Sequence, residues 1–85
     1  MRLTLKYFAS LRESLGAGGA IDWTPDGEPT AAALRAWLRT QSDAHAEALA
    51  SGRAVRVAVD QVLANEAAPL HDGAEVAFFP PVTGG

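Results

Sequence analysis

Polar and apolar residues alternate from Met1 to Phe8, with Leu3, Leu5 and Tyr7 on one side and Arg2, Thr4 and Lys6 on the other. A period of two marks a half-buried strand. Leu11 and Leu15 then recur at helical spacing, and Gly16 is placed to close that short helix in a left-handed conformation. The Gly16-Ala17-Gly18-Gly19 stretch reads as a flexible turn, and Ala20 to Thr24, with Ile21 and Trp23 on one face, as a second strand ended by Pro25-Asp26-Gly27. Thr30 is a good N-cap for a helix whose Leu34, Trp37 and Leu38 form an apolar stripe. Ser42 caps a further helical stretch through Leu49, which Gly52 ends. Val55, Val57 and Val59 mark a third strand over Arg53 to Asp60. Asp60-Gln61 turns the chain into a brief strand from Val62 to Ala64. After the His71-Asp72-Gly73 turn, Glu75 to Phe79 forms the last strand, with Val76 and Phe78 inward, and Pro80-Pro81 stops it because neither residue can donate to a ladder.

Strands at both ends with helices between them do not fit a plain hairpin meander. The order predicts an α+β fold in which a mixed sheet wraps one main helix, with additional short helices: a β-grasp. The chain has 85 residues and is 48% hydrophobic, which supports one domain with a dense core. The expected organisation is a folded body over residues 1–81 and a flexible tail over 82–85.

Charge and composition narrow the chemistry. The net charge of -3 is mild, and the seven basic residues are scattered, so a phosphate-neutralising patch for nucleic acid is not expected. The absence of cysteine removes disulfides, thiolate catalysis and thiolate metal sites, and suits a reducing cytoplasm. No stretch approaches the ~20 apolar residues of a membrane span, and the N-terminus does not read as an export signal. The expectation is a cytoplasmic protein without nucleic-acid or membrane partners. His45 and His71 lie 26 positions apart without ligand spacing, so no metal site is expected; a helix-surface histidine and a turn histidine are the simpler account. Asp43 and Glu47 share a helix face as a solvated pair of like charges. The glycine stretch lacks the lysine and hydroxyl of a phosphate-binding loop, and no serine sits in a nucleophile elbow. These side chains do not assemble a self-contained active site.

The C-terminal sequence Val82-Thr83-Gly84-Gly85 has no comparable folding rationale. Two prolines stiffen the exit from the last strand, and four residues reach about 13 Å at roughly 3.3 Å each. Gly84 and Gly85 can thread a narrow channel, and the last carbonyl carbon is sterically open. Strand parity places Phe8, Ala54, Ala58, Ala77 and Phe79 near Lys6 and Arg56, an apolar patch rimmed by charge beside the tail. Such a patch reads as a docking surface, with Phe79 as its anchor.

Asp72-Gly73-Ala74-Glu75-Val76-Ala77-Phe78-Phe79-Pro80-Pro81-Val82-Thr83-Gly84-Gly85 and Tyr7-Phe8-Ala9-Ser10-Leu11-Arg12-Glu13 carry a resemblance that spans the whole chain. The sequence resembles the small sulfur-carrier subunits of molybdopterin synthase, in the ubiquitin-like β-grasp group. Asp60 is a departure, since relatives commonly carry Asn in that turn. The resemblance implies that an adenylyltransferase of the ubiquitin-activating type uses ATP and Mg²⁺ to adenylate the Gly85 carboxylate, and that a persulfide donor then leaves a thiocarboxylate there. No cofactor is expected on this chain itself. The tail, with Gly84, Thr83 and Val82 threading, would enter the large synthase subunit in a heterotetramer, where the sulfur attacks cyclic pyranopterin monophosphate and two transfers build the dithiolene. Phe79, Pro80, Pro81, Phe8 and Arg12 would contact partners, Arg12 at the rim. The chain would be a cosubstrate rather than an enzyme on its own. A thiamine-type sulfur carrier, a ubiquitin-like modifier forming isopeptide bonds, and a plain interaction module with an inert tail are the alternatives; the Phe-Phe-Pro-Pro run favours the molybdopterin reading over the first.

Overall fold

The computed structural model of the chain describes residues 1–81. The element order is β1 (Arg2–Tyr7), α1 (Ala9–Leu15), β2 (Gly18–Asp22), α2 (Ala31–Leu38), α3 (Asp43–Ala48), β3 (Arg56–Val59), β4 (Val62–Ala64) and β5 (Glu75–Phe79). The five strands form one sheet in the order β2-β1-β5-β3-β4. The central pair β1 and β5 is parallel, whereas β1 with β2, β3 with β5 and β3 with β4 are antiparallel. This is the β-grasp predicted from the element order.

Alternation does what the sequence implies: Leu3, Leu5 and Tyr7 of β1, Val57 of β3 and Val76 and Phe78 of β5 point into the core, where they meet Leu11 of α1 and Leu34 and Leu38 of α2. Both predicted caps form. The Thr30 hydroxyl accepts from the Ala33 N–H at 3.1 Å and the Ser42 hydroxyl from the His45 N–H at 3.1 Å, each satisfying a donor that the first helical turn leaves unpaired. Gly16 closes α1 at φ 85°, its N–H bonded to the Arg12 carbonyl at 2.8 Å.

Four boundaries differ from expectation, the first being the helix capped by Ser42, which ends at Ala48 rather than running through Leu49 to Gly52. The second strand covers Gly18 to Asp22, so two glycines assigned to a turn are strand residues. At Gly18 a Cβ would lie 2.2 Å from the Leu5 carbonyl oxygen, and φ is +101°. Glycine is needed there for close backbone approach to β1 rather than for a floppy turn. The third strand is confined to Arg56–Val59 rather than running from Arg53 to Asp60. Its partner β5 ends where Phe79 meets Arg56, and the prolines that follow have no N–H with which to extend the ladder. β1 is Arg2–Tyr7 rather than Met1 to Phe8. The Asp60-Gln61 turn is as predicted, with φ of 51° and 68° at the two residues, as a tight two-residue hairpin loop demands.

Arg35 was not anticipated. It sits on α2 only 5% exposed. Its Nε donates to the Leu49 carbonyl at 2.9 Å, its Nη2 to Ala50 at 2.6 Å and Arg53 at 3.0 Å, and its Nη1 to the Glu66 carboxylate. One guanidinium thus ties the segment between α3 and β3 to the main helix.

Candidate functional site

The outward side of the sheet is set by the register. Lys6 lies beside Ala77, Ala77 beside Ala58 and Ala58 beside Leu63, forming one row across four strands. The next pair is Arg56 beside Phe79. Leu63 is 61% exposed and Phe8 45% exposed, and Lys6 is held by an ion pair to Glu75 at 3.0 Å. The row is apolar in its middle, with Ala77 buried and Ala58 half-buried, and cationic at Lys6, with Arg56 in the adjoining pair. β5 is the third of five strands, so residues 80 and 81 leave from the centre of this face.

The Phe8 N–H donates to the Phe78 carbonyl at 3.2 Å, which fixes Phe8 at the end of β5. Phe8 and Arg12 meet with Lys6, Tyr7 and Ala17 around a cleft of about 240 Å³. Pro81 instead borders a cleft of about 310 Å³ together with Ala54, Arg56, Ala64 and Glu66. Phe79, Pro80 and Pro81 are half-buried, and Arg12 is exposed. The structure therefore brings Phe8, Arg12, Phe79, Pro80 and Pro81 to one end of the sheet. Ala54 precedes β3 and borders the Pro81 cleft, which corrects its assignment to the strand face. Val82, Thr83, Gly84 and Gly85 lie outside the described residues.

Leu63 was missed from the sequence. Its signal was present: Val62 and Leu63 are adjacent on a strand that follows a two-residue turn, and alternation cannot turn both inward. Val62 is itself 67% exposed at the sheet edge.

The histidines have other roles. His45 is half-buried, not a surface residue of its helix, because its ring packs edge-on against Tyr7 with centroids 6.5 Å apart. His71 Nε2 lies 2.7 Å from Asp60 Oδ2, while Asp60 Oδ1 accepts from the Glu75 N–H at 3.0 Å. The Glu75 N–H and then His71 hold the Asp60 carboxyl below the usual carboxylate range, and Asp60 raises the His71 imidazole. Among the described residues no three of His, Cys, Asp and Glu gather in a group fit to hold a metal ion. No described helix is long and apolar enough to cross a membrane.

The sequence matches the ThiS family over residues 5–85. The chain belongs to the ThiS family. A relative in Escherichia coli K12, the molybdopterin synthase sulfur carrier subunit, is 48% identical over 82 residues, covering 93% of this chain and 94% of the relative. Among solved structures, small archaeal modifier protein 1 of Haloferax volcanii is 28% identical with a TM-score of 0.67, covering 95% of this chain and 98% of that one. A further solved structure, the protein–protein complex of subunits 1 and 2 of molybdopterin-converting factor from Helicobacter pylori 26695, contains a chain 26% identical with a TM-score of 0.65 and full coverage of both. For this ThiS-family chain, the ubiquitin-like β-grasp is thus matched in full by independently solved structures.

Proposed function

We propose that this chain is the sulfur carrier of a molybdopterin synthase, with Gly85 as the residue that bears the sulfur. The observation that carries the reading is positional: the strand that leads into the Gly-Gly sequence is the centre of the sheet, and the apolar row through Ala77, Ala58 and Leu63 adjoins its exit. A partner seated on that row lies beside Pro80 and Pro81, where the chain leaves the sheet. The Escherichia coli relative's name and the Helicobacter pylori two-subunit complex support a large-subunit partner.

The chemistry requires a free α-carboxylate on Gly85. A carboxylate resists nucleophiles, so an adenylating partner supplies ATP and Mg²⁺; the carboxylate oxygen bonds to the α-phosphorus and pyrophosphate leaves. The terminal sulfur of a persulfide then attacks the activated carbonyl and AMP departs, leaving an acyl–S–S link to the donor. A second thiol takes the donor sulfur as a disulfide and frees the thiocarboxylate. In the large subunit this sulfur attacks cyclic pyranopterin monophosphate, and water then cleaves the acyl–sulfur bond, leaving the sulfur on the pterin and a carboxylate on Gly85. Val82, Thr83 and Gly84 thread, while Phe79, Pro80, Pro81, Phe8 and Arg12 sit at the contact rim. Acid–base and phosphate-binding groups belong to the partners, so this chain acts as a cosubstrate.

Leu63→Asp and Phe79→Asp test the docking surface by copurification with the large subunit. A surface change at Leu63 shifts stability by only about 0.5 kcal/mol or less, so a folded variant that no longer copurifies supports the reading. Undiminished copurification of both variants contradicts it. The likeness to small archaeal modifier protein 1 supports a second reading as a protein modifier, which predicts isopeptide conjugates in extracts.

A further inference from the structure

The edge of β2 overhangs a cleft. In an antiparallel pair, alternate residues turn their N–H and C=O toward the partner strand. The Trp23 N–H donates to the Met1 carbonyl at 2.8 Å and the Tyr7 N–H to the Ala17 carbonyl at 3.2 Å. With Leu3 opposite Ile21 and Leu5 opposite Gly19, this fixes Ala17, Gly19, Ile21 and Trp23 as the residues bonded to β1. Gly18, Ala20 and Asp22 therefore turn their backbone groups away from the sheet. All three residues are exposed, and none has another backbone partner among the described residues.

Beneath this edge, Ile21, Leu15, Trp37, Leu38, Gln41 and His45 surround a cleft of about 230 Å³. Tyr7 also borders it, and the Tyr7 hydroxyl is buried with no hydrogen-bond partner among the described residues. The cleft is smaller than the ~300–1,000 Å³ usual for free small ligands, yet ample for a side chain. A row of outward N–H and C=O groups above a side-chain pocket is the arrangement that an extended peptide satisfies.

We propose that the free edge of β2 takes an extended segment of a partner protein as a sixth strand, with one large aliphatic side chain of that segment seated in the cleft between Ile21, Trp37 and His45. Charge sets the flanking residues. Lys6 and Arg12 line the neighbouring cleft with Ala17, past the Gly18 end, whereas Asp26 and Glu28 line another with Trp23, beyond the Asp22 end, where Asp22 itself is paired with Arg2. The matching segment carries an acidic residue opposite the first end and a basic residue opposite the second. This edge is separated from Leu63 by the width of the sheet, and the segment shares only Lys6 and Arg12 with the carrier's docking partner.

The test titrates ¹⁵N-labelled full-length chain with two capped peptides of about six residues, a typical strand length. Each alternates Val and Thr around a central Leu, with Asp and Lys at its ends, and the two run in opposite directions. The proposal predicts binding of one of them at or below about 1 mM. Amide shifts should gather on Gly18, Ala20, Asp22, Gln41 and His45. Ala20→Pro removes an outward N–H, and Gln41→Trp fills the cleft from an exposed position; each should weaken binding about tenfold or more. N-methylation of the peptide's alternate amides should do the same. Shifts confined to Leu63 and Phe79, or none from either peptide, overturn the proposal. So does a concentration-dependent dimer abolished by Ala20→Pro, which would make a second copy of this chain the occupant.

Discussion

Removing the Arg35 guanidinium is expected to be among the most damaging single side-chain changes in the body of the protein. In Arg35→Met the aliphatic stem is retained, so the loss isolates the charge and its donors. The carbonyls of Leu49 and Arg53 lose their donor, the Ala50 carbonyl keeps only the Arg53 N–H at 2.8 Å, and Glu66 loses its partner. Leu49 is fully buried, so water does not replace the guanidinium at that carbonyl without opening the core, whereas the Glu66 side chain is 46% exposed and rehydrates. The stranded buried Leu49 carbonyl costs about 1–3 kcal/mol, and the partly buried Arg53 carbonyl adds a fraction of that. Relief from desolvating the guanidinium offsets part of this. The sum is a loss of about 3 kcal/mol, large against the ~4–13 kcal/mol that a chain of this length holds at 0.05–0.15 kcal/mol per residue. For a domain of this size each kcal/mol moves the melting midpoint by roughly 4–8 °C, so a drop of about 12–24 °C is expected. Arg35→Lys should recover little, because an ammonium lacks the planar fork that spans three carbonyls at once. Glu66→Gln should cost only about 1 kcal/mol or less, as for exposed pairs. Calorimetric or denaturant melts of the three variants decide it. Arg35→Met within 1 kcal/mol of the parent, or Glu66→Gln matching Arg35→Met, would refute the reasoning.

Gly18→Ala forces a methyl to within 2.2 Å of the Leu5 carbonyl at φ +101°, and is expected to cost roughly 2–3 kcal/mol in a denaturant melt, whereas Gly19→Ala, with no atom within 4 Å of the added methyl, should cost less. Equal effects would contradict the close-approach account of β2. The His71–Asp60 pair makes stability pH-dependent. The raised His71 contributes below its unfolded value of ~6.5 and is lost as pH rises through its folded value, while the lowered Asp60 contributes above ~3.9 and is lost as pH falls. The melting difference between the parent and His71→Gln is therefore largest between about pH 4 and 6.5 and shrinks on either side; a difference that does not change with pH contradicts the ion pair.

Much of this architecture was legible because two periods carry it. The alternations in Leu3-Leu5-Tyr7 and Val55-Val57-Val59, the Leu34-Trp37-Leu38 stripe and the Thr30 and Ser42 caps are local signals, and local physics decides them. What was hidden is what depends on a second segment. Gly18 reads as a loop residue until Leu5 lies across it, and Arg35 reads as a surface cation until the carbonyls at the end of α3 converge on it. The start of β3 follows from the prolines after β5, some twenty residues later in sequence. Of the candidate site, Phe8, Phe79 and the outward alanines Ala58 and Ala77 followed from parity, whereas Leu63 required the β3–β4 register. The free edge of β2 required the pairing of β1 with both of its neighbours.

The central claim is that Gly85 carries the sulfur. Intact-mass measurement of the chain after incubation with an adenylating partner, ATP, Mg²⁺ and a persulfide donor tests it directly. The account predicts a gain equal to the replacement of one oxygen by sulfur, located by fragmentation at Gly85 and absent from a chain extended past that residue. An unchanged mass with partners that load the Escherichia coli relative in parallel, or sulfur located on any other residue, would contradict it.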